Sequence, residues 1–246
     1  MMARVFTQLA RLGLFSLVAV LISATSNATT YNGASDFSAS NPSGAWSYGD
    51  GVTGSSFTPY SVFSTSCIGF VGASCWEPPT LTDGVPLVAA NNSGSTLNSG
   101  TVVFPSGLLL LHPGPATDSI LRWTAPTTGS VTIAGFFELL DTSPTGITGE
   151  IFDNGTQVYS GTRTSPGATH PSTPGESEAF SLTLGVNAGD VISFGVNNDG
   201  NFLSDSTGLS ATITSASGST SVPEPPTLLL LGAGLLGLCL MNRRRA

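Results

Sequence analysis

At 246 residues the chain has room for one domain or two small ones. With 9% charged residues, no lysine, 30 glycines and 16 prolines, it lacks the stock of a long helical protein and suits short strands joined by turns. Between Thr29 and Ser221 two arginines face fourteen acidic residues, a net of −12, which repels phosphate backbones and excludes nucleic acid as a partner.

The chain opens with Arg4 and Arg11, then an apolar run from Leu12 to Ile22. Small residues follow, with Ser26 and Ala28 at the −3 and −1 positions of a cut. That layout predicts a secretory signal peptide over residues 1–28. An uncleaved anchor is the alternative, but the run is short for a membrane span. The body then covers residues 29–221.

From Tyr31 to Asn98 the chain is rich in Ser, Gly and Asn, with aromatics interspersed, and its strands are hard to place. Trp46, Tyr48 and Trp76 are either core residues or platforms for sugar rings, since an aromatic face offers apolar area beside polar edges. Cys67 and Cys75 stand close together in CIGFVGASC, and in an oxidising compartment they are expected to pair. Two free buried thiols are the alternative. Zinc is not expected, because His112 and His170 are remote from them in sequence.

From Thr101 the pattern sharpens. TVVF, GLLLLH, SILRW, SVTIAGFFEL, TGEIFD, TQVYS, AFSLTLG, DVISFGV and LSATITS recur with turn signals between them. In SVTIAGFFEL, Val131, Ile133 and Phe137 share one face. Asn154-Gly155 predicts a type I′ hairpin, and the Asn197 to Asn201 stretch a further tight turn. About ten strands at this spacing predict an all-β fold, a β-sandwich or jelly roll.

Motifs of chemistry are scarce. There is no His-Glu-x-x-His, no Gly-x-Ser-x-Gly and no phosphate loop, so no catalytic residue is assigned and the chain reads as no enzyme. His112, before Pro113, reads as structural, and His170 as a solvated loop residue. Glu138, Asp141, Glu150 and Asp153 read as edge carboxylates, although a pair of them could serve glycoside hydrolysis. No cofactor is expected beyond a structural Ca²⁺. Asp199, Asp205 and the carbonyls around Gly200 are its candidate ligands, since that hard ion takes oxygen.

The chain ends in VPEPPTLLLLGAGLLGLCLMNRRRA. Leu228 to Met241 would span roughly 21 Å as a helix, against about 30 Å of hydrocarbon. This predicts a short transmembrane helix, helped by snorkelling of Arg243, Arg244 and Arg245. Those arginines stay in the cytoplasm and leave the body outside the inner membrane. Pro223, Pro225 and Pro226 hold Glu224 in an extended segment beside the membrane. Pro223-Glu224-Pro225, the apolar helix and the basic stop together resemble the PEP-CTERM sorting signal, over residues 222–246. The resemblance implies that an exosortase cuts near the motif and passes the body to the cell surface or matrix. A plain tail anchor is the alternative.

The stretch LHPGPATDSILRWTAPTTGSVTIAGFFELLD, with AGDVISFGVNNDGNFLSDSTGLSATI downstream, resembles galactose-binding-like jelly rolls of secreted bacterial proteins. DFSASNPSGAWSYGD resembles the start of many PEP-CTERM proteins with this body. The combined reading is an exported, non-catalytic surface or exopolysaccharide-matrix protein that binds glycan. A purely structural matrix subunit and a glycan-active enzyme are the alternatives.

Overall fold

The computed structural model describes residues 28–67, 69–163 and 178–216. The segments expected to form the signal peptide's apolar run and the C-terminal helix with its arginines, together with His170 and the sorting motif, lie outside the described residues. Every regular element described is a strand, and no described helix is long and apolar enough to cross a membrane.

Two antiparallel sheets face each other. The larger runs β14 (Glu178–Val186), β11 (Gly129–Leu139), β16 (Thr207–Ser215), β9 (Leu109–His112), β6 (Leu87–Asn91), β5 (Phe70–Glu77) and β4 (Val62–Cys67), with β1 (Thr30–Asn32) also paired to β16. The second runs β13 (Thr156–Arg163), β12 (Ile147–Asp153), β15 (Val191–Asn197), β10 (Asp118–Thr124), β2 (Trp46–Gly51) and β3 (Thr58–Pro59). A separate hairpin joins β7 (Leu97–Ser99) to β8 (Val102–Phe104). This is the all-β sandwich expected from the sequence, and each of the nine apolar stretches from Thr101 onward is a strand, β8 to β16.

Alternation decides which residues meet between the sheets. Val131, Ile133 and Phe137 of β11 point inward together, as do Leu209, Ala211 and Ile213 of β16. They pack against Leu121, Trp123, Ile192, Phe194 and Ile151 of the second sheet. The run at Leu108–Leu111 does not alternate, because both its faces are buried. Leu109 and Leu111 join the core between the sheets, whereas Leu108 and Leu110 join a second, smaller core. β6 divides the same way, with Val88 and Ala90 on one side and Leu87 and Ala89 on the other. The smaller core is closed by Phe70, Phe104, Leu140 and the Cys67–Cys75 disulfide.

The expected hairpin at Asn154-Gly155 is present, with φ of 46° and 83°, the left-handed pair that a type I′ turn requires. Asp199 and Gly200 repeat the device with 48° and 95°. On the outer face of the second sheet, the segment from Val52 to Phe57 lies across a slot made by Gly49 and Gly195. A Cβ at Gly195 would strike Thr53, and one at Gly49 would lie 2.7 Å from the Phe57 ring. Buried Asp118 holds the segment down, accepting hydrogen bonds from Thr53 N and Oγ1, each at 2.7 Å, and from Asn197 Nδ2 at 2.8 Å. Arg122 lies 4.0 Å over the Phe57 ring. That part of the face is therefore covered by the chain itself.

Candidate functional site

The aromatic platforms expected from the sequence are core residues. Trp46 is 1% exposed, Tyr48 0% and Trp76 7%. Stacking on a sugar needs a free ring face, and theirs are spent on neighbours: Phe37 against Tyr48 at 4.8 Å between centroids, and Phe63 against Trp76 at 5.1 Å. The two indole N–H groups are also committed. Trp46 Nε1 donates to Asp36 Oδ2 at 3.2 Å, and Trp76 Nε1 to the Ser38 carbonyl at 2.9 Å.

These bonds explain the DFSASNPSGAWSYGD stretch. Asn41 donates through Nδ2 to the carbonyls of Tyr48 and Tyr60, at 2.8 and 2.9 Å, and accepts from Tyr48 N at 3.0 Å. One side chain thereby pairs with backbone groups of both Tyr48 on β2 and Tyr60 beyond β3, joining the loop to the sheet edge. The role of this stretch among the described residues is to seat Trp46 and Tyr48.

An open cleft of about 410 Å³ lies elsewhere, lined by Asn32, Ala34, Ser35, Asn91, Asn92, Gly94, Ser106 and Gly107. Its two walls are Asn-capped turns. On one, Asn32 Oδ1 accepts from Ala34 N at 3.1 Å and Ser35 N at 2.9 Å, while Nδ2 donates to Thr212 Oγ1 at 3.2 Å. On the other, buried Asn91 donates to the carbonyls of Ser95 and Phe104, at 2.9 and 2.7 Å, and accepts from Ser93 N and Oγ. The caps fix the turns and leave the exposed Asn92 amide and Ser106 hydroxyl uncommitted between them. No charged side chain lines the cleft. Sequence reading missed it because Asn32 and Asn91 are remote in the chain and nothing local marks their meeting.

The two acids expected to share a calcium ion are held apart. Both carboxylate oxygens of Asp199 lie 3.0 Å from Thr148 Oγ1 at an exposed edge. Asp205 is fully buried, with Oδ1 2.8 Å from Thr145 Oγ1. Burial raises its carboxyl to about 6, against the opposing influence of the nearby Thr145 hydroxyl and the N–H groups of Thr145 and Gly146. Among the described residues no three His, Cys, Asp or Glu side chains gather as metal ligands.

The remaining acids divide between the two sheets. Glu138 and Asp141 are buried at the end of β11 and just beyond it, whereas Glu150 and Asp153 lie on β12 in the opposite sheet. Asp141 is occupied by Thr101 Oγ1 at 3.0 Å and Ser143 N at 3.0 Å. His112 is buried, with Nδ1 2.9 Å from the Pro113 carbonyl, and burial lowers its pKa. Cys67 and Cys75 are joined, with Cα atoms 5.7 Å apart.

No curated protein matches the chain in sequence. Among solved structures it is similar to ZmpB of Clostridium perfringens, described as an M60 catalytic domain with two CBM51 domains. That match has 11% identity and a TM-score of 0.34 over 50% of this chain and 12% of that one, so this chain spans about an eighth of its length. It is also similar to a CBM51 from Clostridium perfringens GH95 in complex with methyl-galactose, at 12% identity and TM-score 0.35, over 75% of this chain and 99% of that one. A CBM35 from Paenibacillus barcinonensis matches at 13% identity and TM-score 0.29, over 77% and 99%. Residues 221–245 match the family model of the PEP-CTERM protein-sorting motif. The segment holding Pro223, Glu224 and Pro225 is thus a PEP-CTERM motif, and the chain is an exported, exosortase-sorted protein.

Proposed function

We propose that the body, residues 29–221, binds a neutral or cationic polysaccharide at the cell surface or in an exopolysaccharide matrix, without cutting it. The observation that carries this reading is the cleft between the Asn32 and Asn91 turns. Its wall of amides, hydroxyls and glycine backbone, with no charge, matches the many weak donors and acceptors of a sugar. The acidic body disfavours anionic polymers. Before processing, the C-terminal helix would hold the chain in the inner membrane with the body outside, until an exosortase acts beside Glu224.

The test is titration of the full chain, purified in detergent, against a panel of neutral and cationic polysaccharides. Binding is expected to weaken at least about tenfold when Asn92 and Ser106 are both changed to Ala, by loss of two hydrogen bonds. The melting temperature should hold, because both residues are exposed. No binding to any member of the panel leaves the structural-subunit reading in its place.

A further inference from the structure

The loop after β11 and the loop after β15 meet at one oxygen atom. Thr145 Oγ1 lies 2.7 Å from the Asn201 carbonyl, 2.8 Å from the Leu203 carbonyl and 2.8 Å from Asp205 Oδ1. A threonine hydroxyl has one proton and can serve only one of these three acceptors. The other two approach it lone pair to lone pair. Beside them, Asp205 Oδ2 is buried without a hydrogen-bond partner, on a side chain that is 0% exposed. A buried anionic oxygen with no donor is costly. A cation among these oxygens would remove both difficulties at once.

We propose that Thr145 Oγ1, the main-chain carbonyls of Asn201 and Leu203 and the carboxylate of Asp205 form a binding site for a hard divalent cation, calcium in preference to magnesium. The donor set is all oxygen, without a nitrogen or sulfur to favour a transition metal. Two carbonyls spaced along an irregular loop suit the flexible coordination of calcium, whereas magnesium demands near-octahedral geometry and keeps its waters. The backbone is shaped for it. Asp199, Gly200 and Ser204 all have positive φ, and the last of these separates Leu203 from Asp205. Asp199 is no ligand, since both its oxygens are turned to Thr148. The ion would clamp the β11–β12 connection to the β15–β16 connection, adding to the Thr145 contacts and to the bond from Leu140 N to the Ser206 carbonyl.

The experiment is thermal unfolding of the full chain in detergent, in EDTA, in calcium and in magnesium, with calorimetric titration of calcium. Extracellular calcium sites have Kd values of about 10⁻⁴–10⁻³ M, so calcium well above that range should raise the melting temperature by several degrees through mass action. Magnesium at the same concentration should raise it less. Asp205→Asn should abolish the calcium shift and weaken the titrated affinity by at least about tenfold, as loss of the one anionic ligand requires. Thr145→Val, at an exposed position where misfolding is not expected, should reduce both. Asp199→Asn should keep both. An equal shift with magnesium, a wild-type melting temperature that calcium leaves unchanged, or a calcium response that survives undiminished in Thr145→Val and Asp205→Asn would overturn the proposal.

Discussion

The body has two cores held in different ways. The one between the sheets is broad and aromatic, with Trp46, Trp123, Tyr48, Phe137 and Phe194 all buried in it. The one behind β5, β6 and β9 is a small cluster of Phe70, Phe104, Leu87, Leu108, Leu110, Leu140 and alanines. The large core is stabilised by the area it removes from water. The small one has less area and is fastened at its margins. The disulfide closes one side, Asn91 ties Phe104 to β6, and the Asp205 loop reaches it through the bond from Leu140 N to the Ser206 carbonyl at 2.8 Å. The contrast teaches that a core too small to hold by packing is held by ties, and the ties are where chemistry can be read.

The largest effect expected from this contrast is at Trp46. Trp46→Ala should cost about 3–5 kcal/mol, the range for removing a large buried aromatic, as measured by denaturant unfolding of the body. It should do so with little change in any glycan affinity measured on the surviving folded protein. A loss near 1 kcal/mol, together with lost binding, would return the ring to the role of a sugar platform and undo the account of the large core.

Next is the disulfide. Joining residues eight apart in sequence removes chain entropy worth roughly 2–3 kcal/mol, so Cys67→Ala with Cys75→Ala should lower stability by about that amount. Non-reducing peptide maps of exported protein should show the two cysteines linked. Free, alkylatable thiols at both positions in native protein would mean that the small core holds without this tie.

A smaller loss is expected at Asn91. Its amide donates to the buried Phe104 carbonyl, so Asn91→Ala should cost about 1–3 kcal/mol by leaving that acceptor unpaired. Because the same side chain shapes one wall of the cleft, polysaccharide binding should fall with it. Lost stability with intact binding would separate the small core from the cleft.

How much of this was legible in the sequence follows the same division. From Thr101 the strands lie at regular spacing with Gly, Asn and Pro between them, and β8 to β16 were each visible as an apolar stretch. The N-terminal part was not, because β1 and β3 are only three and two residues long and β1 is positioned by β16 at the far end of the body. Trp46 and Tyr48 alternate in the sequence as residues of one sheet face, but period two marks a shared face and not whether that face is covered. Their burial depends on Asp36, Asn41 and the opposing sheet. The acid at Asp205 stood out by residue type. The carbonyls around Gly200 were expected beside it, but Thr145 was not, since its hydroxyl acquires meaning only when two loops meet.

The finest test concerns acidity. Asp205 has a folded-state pKa of about 6, raised chiefly by burial above the ordinary 3.8 of an aspartate. Between these values the folded protein holds a proton that the unfolded chain has released. Stability therefore falls as pH rises through that window, and the stabilising share of the protonated group is fully present below about 4 and lost above about 6. Asp50, Glu77, Glu150 and Asp153 are shifted upward as well and add slopes of the same sign. Asp205→Asn should consequently flatten the fall in melting temperature between pH 4 and 6 in EDTA without abolishing it. Calcium should act in the opposite sense, since it binds the carboxylate and draws that proton off, so its stabilising effect should grow with pH across the same interval. Parallel pH profiles for wild type and Asp205→Asn in EDTA would show that this carboxyl is not the strained tie at the margin of the small core.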